Sequence, residues 1–237
     1  MHPILNSIKS SIPNAVTCMN VLSGTVAIIF TFRYNEIFGS LHGYEWAYIF
    51  IAAAAVFDFF DGFCARLLHA QSAIGKELDS LSDLVSFGVA PALLMFNTMQ
   101  TLGSGSWLSY ATLLIVALGA LRLAKFNTDS RQTTYFIGLP IPANAIFWIG
   151  MCGWIHRYHY INEWILAAII LMVSWLMVSE IKMFSLKFKS FKFSENVVRY
   201  ILIIGTISFV VFYGISGLMW AILFYLMVSM ACRNSIH

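Results

Sequence analysis

Asp58 and Asp61 stand three residues apart, and Asp79 and Asp83 stand four apart, all within one short part of the chain. If each pair lies on a helix, its two carboxylates share a face. Four carboxylates on two neighbouring faces repel one another and are costly to bury, so such a cluster needs cations. An all-oxygen ligand set suits a hard ion such as Mg²⁺, Mn²⁺ or Ca²⁺ and disfavours zinc, which prefers His or Cys. Four carboxylates are enough to bridge two such ions, and a pair of divalent ions about 4 Å apart is a known device for in-line phosphoryl displacement. The neighbouring small residues fit this reading. Gly62 follows Asp58 by four, Ala65 follows Asp61 by four, and Gly75 precedes Asp79 by four, which clears both faces of bulk for a ligand. Arg66 is suited to a phosphate oxygen.

The elements that must carry these residues follow from composition. Of 237 residues, 59% are hydrophobic and 11% charged, against about 25% charged in an ordinary soluble domain. The charges are too few to cover a soluble globule. With a net charge of +3 and basic residues scattered between apolar runs, a nucleic-acid partner is disfavoured. Cys18, Cys64, Cys152 and Cys232 form no CxxC pair and read as free thiols. The expected fold class is an all-α polytopic membrane protein. Spans of about 20 apolar residues are expected near 15–33, 46–68, 79–99, 107–125, 139–156, 162–180, 199–213 and 216–232, about eight in all. No cleavable signal peptide and no appended soluble domain are expected. With both termini in the cytoplasm, twelve of the 14 Lys and Arg fall on inner segments, leaving only Arg33 and Arg157 outside. In this topology all four aspartates lie near the cytoplasmic ends of the second and third spans.

The string Asp58-x-x-Asp61-Gly62-x-x-Ala65-Arg66, eight residues, then Gly75-x-x-x-Asp79-x-x-x-Asp83 resembles the signature of the CDP-alcohol phosphotransferases, with all eight positions at the family spacing. Further stretches are similar to the bacterial phosphatidylserine synthase branch of that family. These are Ile12–Asn20, Asp83–Pro91, Ala120–Asn127 and Tyr135–Ala143, so the resemblance covers roughly residues 12–145. It implies a bundle of that family's type and transfer of a phosphatidyl group from CDP-diacylglycerol to the hydroxyl of L-serine, releasing CMP. On the same basis Asp58, Asp61, Asp79 and Asp83 would hold two Mg²⁺ or Mn²⁺ ions, with Asp83 also the general base. Gly62, Ala65 and Gly75 would make room for the CDP-lipid, Arg66 would meet phosphate, and Asn14 and Thr17 would flank the nucleotide. The resemblance further implies a homodimer in the bacterial cytoplasmic membrane, with its active site on the cytoplasmic side. The expected organisation is one catalytic domain over 1–237, with a core at 12–181 and additional helices at 199–232.

The acceptor rests on a second group. L-serine is a zwitterion whose carboxylate needs cations or amide donors, and Arg122, Lys125, Asn127, Arg131 and Tyr135 on a cytoplasmic stretch supply them. Glycerol 3-phosphate or an inositol phosphate would also be drawn to arginines; the string Phe136–Pro142 favours serine. From Lys182 to Phe193 lysines alternate with aromatics, which fits either an interfacial segment on anionic lipid or a plain positive-inside loop. Asn14 after Pro13 also reads as a helix N-cap. His156 and His159 lack the acidic or cysteine company of a metal site and read as interfacial. A cation or proton transporter would place its carboxylates near the midplane and often shows internal repeats; here they gather at one leaflet.

Overall fold

The computed structural model describes residues 3–70, 72–102, 107–129, 136–158, 161–184 and 196–231. The chain divides into two compact units, Met1–Thr101 and Leu102–His237.

The first unit is built on a long helical hairpin. Helix α1 runs over Pro3–Phe32 and continues through Pro13, so Asn14 lies inside the helix and is not its N-cap. The two-stranded turn β1 (Ile37–Phe38) and β2 (Leu41–His42) leads into α2, Gly43–Leu67. Aromatic rings hold α1 and α2 together at this end. Phe30 stacks on Trp46 at 5.8 Å and on Phe50 at 5.6 Å between ring centres, and Ser23 Oγ donates to the Phe50 carbonyl at 2.8 Å. Helix α3 spans Ala73–Asp83, passes through a π-helical segment at Leu84–Val89, and continues as α4, Ala90–Leu102. The wide turn has a local cause. Pro91 has no N–H to give to the Phe87 carbonyl, and its ring would collide with that carbonyl in a regular α-helix. The Ala90 N–H bonds instead to the Val85 carbonyl. Helix α4 is fastened to the far end of α1 by the 2.7 Å bond between the hydroxyls of Tyr34 and Thr98, and by Asn97 Nδ2 donating to the Thr31 carbonyl at 3.0 Å.

In the second unit a 3₁₀ turn, Trp107–Thr112, opens α5, Leu113–Thr128. Strand β3 (Phe136–Ile137) pairs antiparallel with β4 (Lys182–Met183), enclosing α6 (Ile141–Tyr158) and α7 (Glu163–Val178). Helices α8 (Val197–Tyr213) and α9 (Gly217–Ala231) turn back on one another at Gly214, whose φ of +61° suits glycine. Trp148, Phe147, Ile141, Leu139, Leu166 and Ile170 are almost wholly buried. Gly150 of α6 lies directly against the Met219 backbone of α9, the small-residue contact by which helices approach closely in a membrane.

The expected eight spans are not what the structure contains. Among the described residues the helical runs number seven, because 199–213 and 216–232 join through the 3₁₀ turn Gly214–Ser216 into Val197–Ala231. Five runs are long and apolar enough to cross a membrane: Ser11–Phe32, Gly43–Leu67, Ala73–Leu102, Trp107–Thr128 and Val197–Ala231. They mark the chain as a membrane protein. Glu163–Val178 is apolar but has only 16 residues, and Ile141–Tyr158 is diluted by Asn144, His156 and Arg157.

Candidate functional site

Three helices of the first unit meet at the aspartates. Asp58 and Asp61 sit on the last turns of α2. That helix closes at once: the Ala70 N–H bonds to the Ala65 carbonyl at 3.0 Å and the His69 N–H to Arg66 at 3.3 Å, with His69 in the left-handed region at φ +48°. This pair of bonds ends a helix and turns the chain sharply. Helix α3 then starts on Ser72, whose Oγ accepts the Gly75 N–H at 3.0 Å. The helix therefore begins six residues before Asp79, so Asp79 and Asp83 are held in a regular helix, not at its frayed start.

Helix α1 sets the depth of α3 through two serines. Ser82 Oγ donates to the Thr17 carbonyl and Ser86 Oγ to the Asn20 carbonyl, each at 3.1 Å. The contact is close because Gly24 faces Ser86 with no side chain of its own; a Cβ there would overlap Ser86. Thr17 donates its hydroxyl to the Pro13 carbonyl at 3.0 Å, and its side chain also meets the carboxylate of Asp61.

The result is a group of three carboxylates. Asp58, Asp61 and Asp79 each offer one oxygen, and these oxygens lie within 4.8 Å of one another. Asp61 is buried, and its Oδ2 has no hydrogen-bond partner in the protein. A buried carboxylate oxygen with two other carboxylates beside it is what a bound cation would satisfy, and an all-oxygen set fits a hard divalent ion. Asp83 is also buried, one turn further along α3, and stands outside the three-oxygen group.

Beside the carboxylates lies a cleft of about 460 Å³. Asn14, Thr17, Gly62, Ala65 and Gly75 all line it, together with Asp61 and Asp79. A Cβ on Gly62 would meet nothing within 4 Å, so that glycine opens onto free space. At Gly75 the room is partly taken, since a Cβ would lie 3.0 Å from both Asn14 Oδ1 and Ser72 Oγ. Arg66 is exposed and is not part of the lining. Lys76 is part of it and was not expected. Its spacing offers a signal: Lys76 precedes Asp79 by three and follows the Ser72 cap by four, which places it on the cleft side of α3.

The residues expected to bind serine belong to the second unit. Arg122 is buried on α5, with its guanidinium 5.1 Å over the Phe126 ring. Lys125 Nζ donates to the carbonyl of Val178, the last residue of α7, at 3.2 Å. Asn127 is half-buried. Arg131 and Tyr135 lie outside the described residues.

Comparison with known proteins places the carboxylates in a lineage. A family model described as CDP-alcohol phosphatidyltransferase matches residues 10–179. The chain belongs to this family. The matched segment takes in the whole aspartate cluster and ends one residue past α7, so the α8–α9 hairpin lies beyond it. Relatives named CDP-diacylglycerol–serine O-phosphatidyltransferase come from distant organisms. One from Bacillus subtilis is 38% identical over 72% of this chain and 88% of its own length. Another, from Methanocaldococcus jannaschii, is 39% identical over 73% of each. For a relative from Mycobacterium bovis the identity is 35%, over 69% of this chain; the match spans only 59% of that protein's length.

Proposed function

We propose that the chain transfers the phosphatidyl group of CDP-diacylglycerol to the hydroxyl of L-serine, giving phosphatidylserine and CMP. The observation that carries the reading is the convergence of the Asp58, Asp61 and Asp79 carboxylates beside a cleft lined by Gly62, Ala65 and Gly75. The choice of donor and acceptor is supported by the names of the relatives.

Asp58, Asp61, Asp79 and Asp83 would hold two Mg²⁺ or Mn²⁺ ions, which when bound offset the charge of a diphosphate and of the departing CMP. Gly62 and Ala65 leave space for the nucleotide against the backbone of α2, with Asn14 and Thr17 at its side. Lys76 reaches the diphosphate from α3, and Arg66 meets phosphate oxygen from the exposed end of α2. Asp83 takes the proton of the attacking serine hydroxyl as the oxygen–phosphorus bond forms and the bond to CMP breaks. Arg122 and Lys125, with Asn127, Arg131 and Tyr135, receive the serine carboxylate and ammonium.

The whole chain acts as one catalytic domain in this reading, with a core at 12–181 and added helices at 199–232. Both termini and the active site face the cytoplasm, in the inner membrane of a bacterium, where anionic lipid meets the inner basic segments. A homodimer is the expected assembly.

The test is CMP release by detergent-purified protein given CDP-diacylglycerol and Mn²⁺, with L-serine, glycerol 3-phosphate or inositol phosphate as acceptor. Release driven by L-serine alone is expected. Release only with another acceptor would sink the serine assignment and keep the aspartate chemistry. Folded protein that yields no CMP with any acceptor or metal would sink both.

A further inference from the structure

Thr17 stands where the three helices of the aspartate site meet. It lies on α1 and is only 3% exposed, so little of it is open to a ligand in the cleft it lines. It reaches both of the other helices. Its carbonyl accepts the hydroxyl of Ser82, the α3 residue before Asp83, at 3.1 Å. Its own hydroxyl meets the carboxylate of Asp61 on α2. The Gly62 N–H also reaches that carboxylate, but from Asp61's own helix. Thr17 thus holds Asp61 from outside α2. An aspartate needs such a hold, because its χ2 torsion is broad and the helix alone does not fix which way the carboxylate turns.

The Thr17 hydroxyl has one proton and two acceptors. It lies 3.0 Å from the Pro13 carbonyl, four residues back, and beside the Asp61 carboxylate. In a regular helix the Pro13 carbonyl also takes the Thr17 N–H, so it stays satisfied when the hydroxyl turns away. An ionised carboxylate is the stronger acceptor, since charge-assisted hydrogen bonds are roughly twice as strong as neutral ones. The hydroxyl therefore donates to Asp61 whenever that residue is ionised, as a metal-binding carboxylate is. Asp61 Oδ2, which has no partner in the protein, is left for a cation. We infer that Thr17 is a positioning residue for the metal site. Its hydroxyl fixes the turn of the Asp61 carboxylate so that one oxygen stays with those of Asp58 and Asp79, and its carbonyl, through Ser82, sets α3 beside them. The inference rests on the metal reading above and gives Thr17 a role that contact with a nucleotide does not require.

The test is Mn²⁺ binding to the metal-free full chain in detergent, read from the paramagnetic signal of the free ion with no substrate present. Thr17→Val keeps the shape and the carbonyl and removes the hydroxyl. Its Mn²⁺ affinity is expected to fall about tenfold or more, the usual cost of losing a group that orients a metal ligand. Thr17→Ser keeps the hydroxyl and should bind Mn²⁺ as the wild type does. Should the valine variant not fold, Thr17→Ala carries the same expectation as valine. CMP affinity at saturating Mn²⁺ should change less than Mn²⁺ affinity does. Unchanged Mn²⁺ binding in a folded variant that lacks the hydroxyl would overturn the inference. So would a loss that serine does not restore, which marks packing alone, or a fall in CMP affinity with Mn²⁺ binding intact, which makes Thr17 a nucleotide contact. Wild-type protein that binds no Mn²⁺ would instead overturn the metal reading, and this inference with it.

Discussion

Asp61 is the residue on which the chemistry is most exposed to test, because its Oδ2 is buried with no protein partner and two other carboxylates offer oxygens within 4.8 Å. Without a cation this is a repulsive arrangement. Asp61→Asn should therefore raise the melting temperature of metal-free protein, or leave it unchanged. In the same variant Mg²⁺ or Mn²⁺ should no longer stabilise, although an ion at a hundred times its Kd stabilises an intact site by about 2.7 kcal/mol. CMP release should fall by at least about a hundredfold, the scale of losing a group that positions transition-state charge. A metal-dependent rise in melting temperature that persists in Asp61→Asn would remove the metal reading. Two glycines make a paired test of the cleft. Gly62→Leu puts bulk into open space, so the fold should hold while activity is lost. Gly75→Ala meets Asn14 and Ser72 at 3.0 Å and should cost stability as well. Scanning fluorimetry beside a CMP assay separates the two outcomes.

At the scale of elements, what holds the site is the way α1, α2 and α3 begin, end and touch. Gly24→Ala should destabilise the protein by about 1–3 kcal/mol, because the added methyl overlaps Ser86 where α1 packs on the π-helical segment. An unchanged melting temperature would show that α3 can move away freely. His69 occupies the left-handed position that ends α2, so His69→Gly should stabilise by about 1 kcal/mol. Here the limits of reading the sequence are plain. The three-residue step puts Asp58 and Asp61 on one face, and the four-residue step Asp79 and Asp83 on another, because these are the helix's own steps; that Asp79 comes beside Asp58 and Asp61 depends on how α2 and α3 pack. For the other two, Asp83 stands outside the close three-oxygen group, and Arg66 is exposed at the end of α2 and does not line the cleft. Helical periodicity fixes neither where α2 stops nor the rotation that the π turn adds ahead of Pro91. Lys76 escaped notice because a lone lysine at a helix start reads as solvated until the cap at Ser72 sets the helix in register.

Across the whole molecule, hydropathy foresaw a helical membrane protein. The structure holds seven helical runs among its described residues where eight spans were expected, because α8 and α9 follow one another through the turn at Gly214. Ile141–Tyr158, with Asn144, His156 and Arg157, and Glu163–Val178, with 16 residues, are the two runs that fall below the length and apolarity of the other five. Orientation is testable without any activity. In a cysteine-free background, Ser40→Cys in the β1–β2 turn should react with a membrane-impermeant maleimide in intact cells, while Ala70→Cys should react only after the membrane is opened. The reverse pattern would invert the topology and put the aspartate cleft outside. The tie between Tyr34 and Thr98 bears on the same cleft from far away. Nineteen residues separate Thr98 from Asp79 along one nearly continuous helical run, about 28 Å at 1.5 Å per residue. That run is a lever pinned at the end away from the aspartates. A tilt of about 5° there carries Asp79 through about 2.5 Å, more than the whole length of a magnesium–oxygen bond, about 2.1 Å. Tyr34→Phe, which removes one hydroxyl at the far end of that run, should therefore weaken metal binding before it measurably weakens the fold.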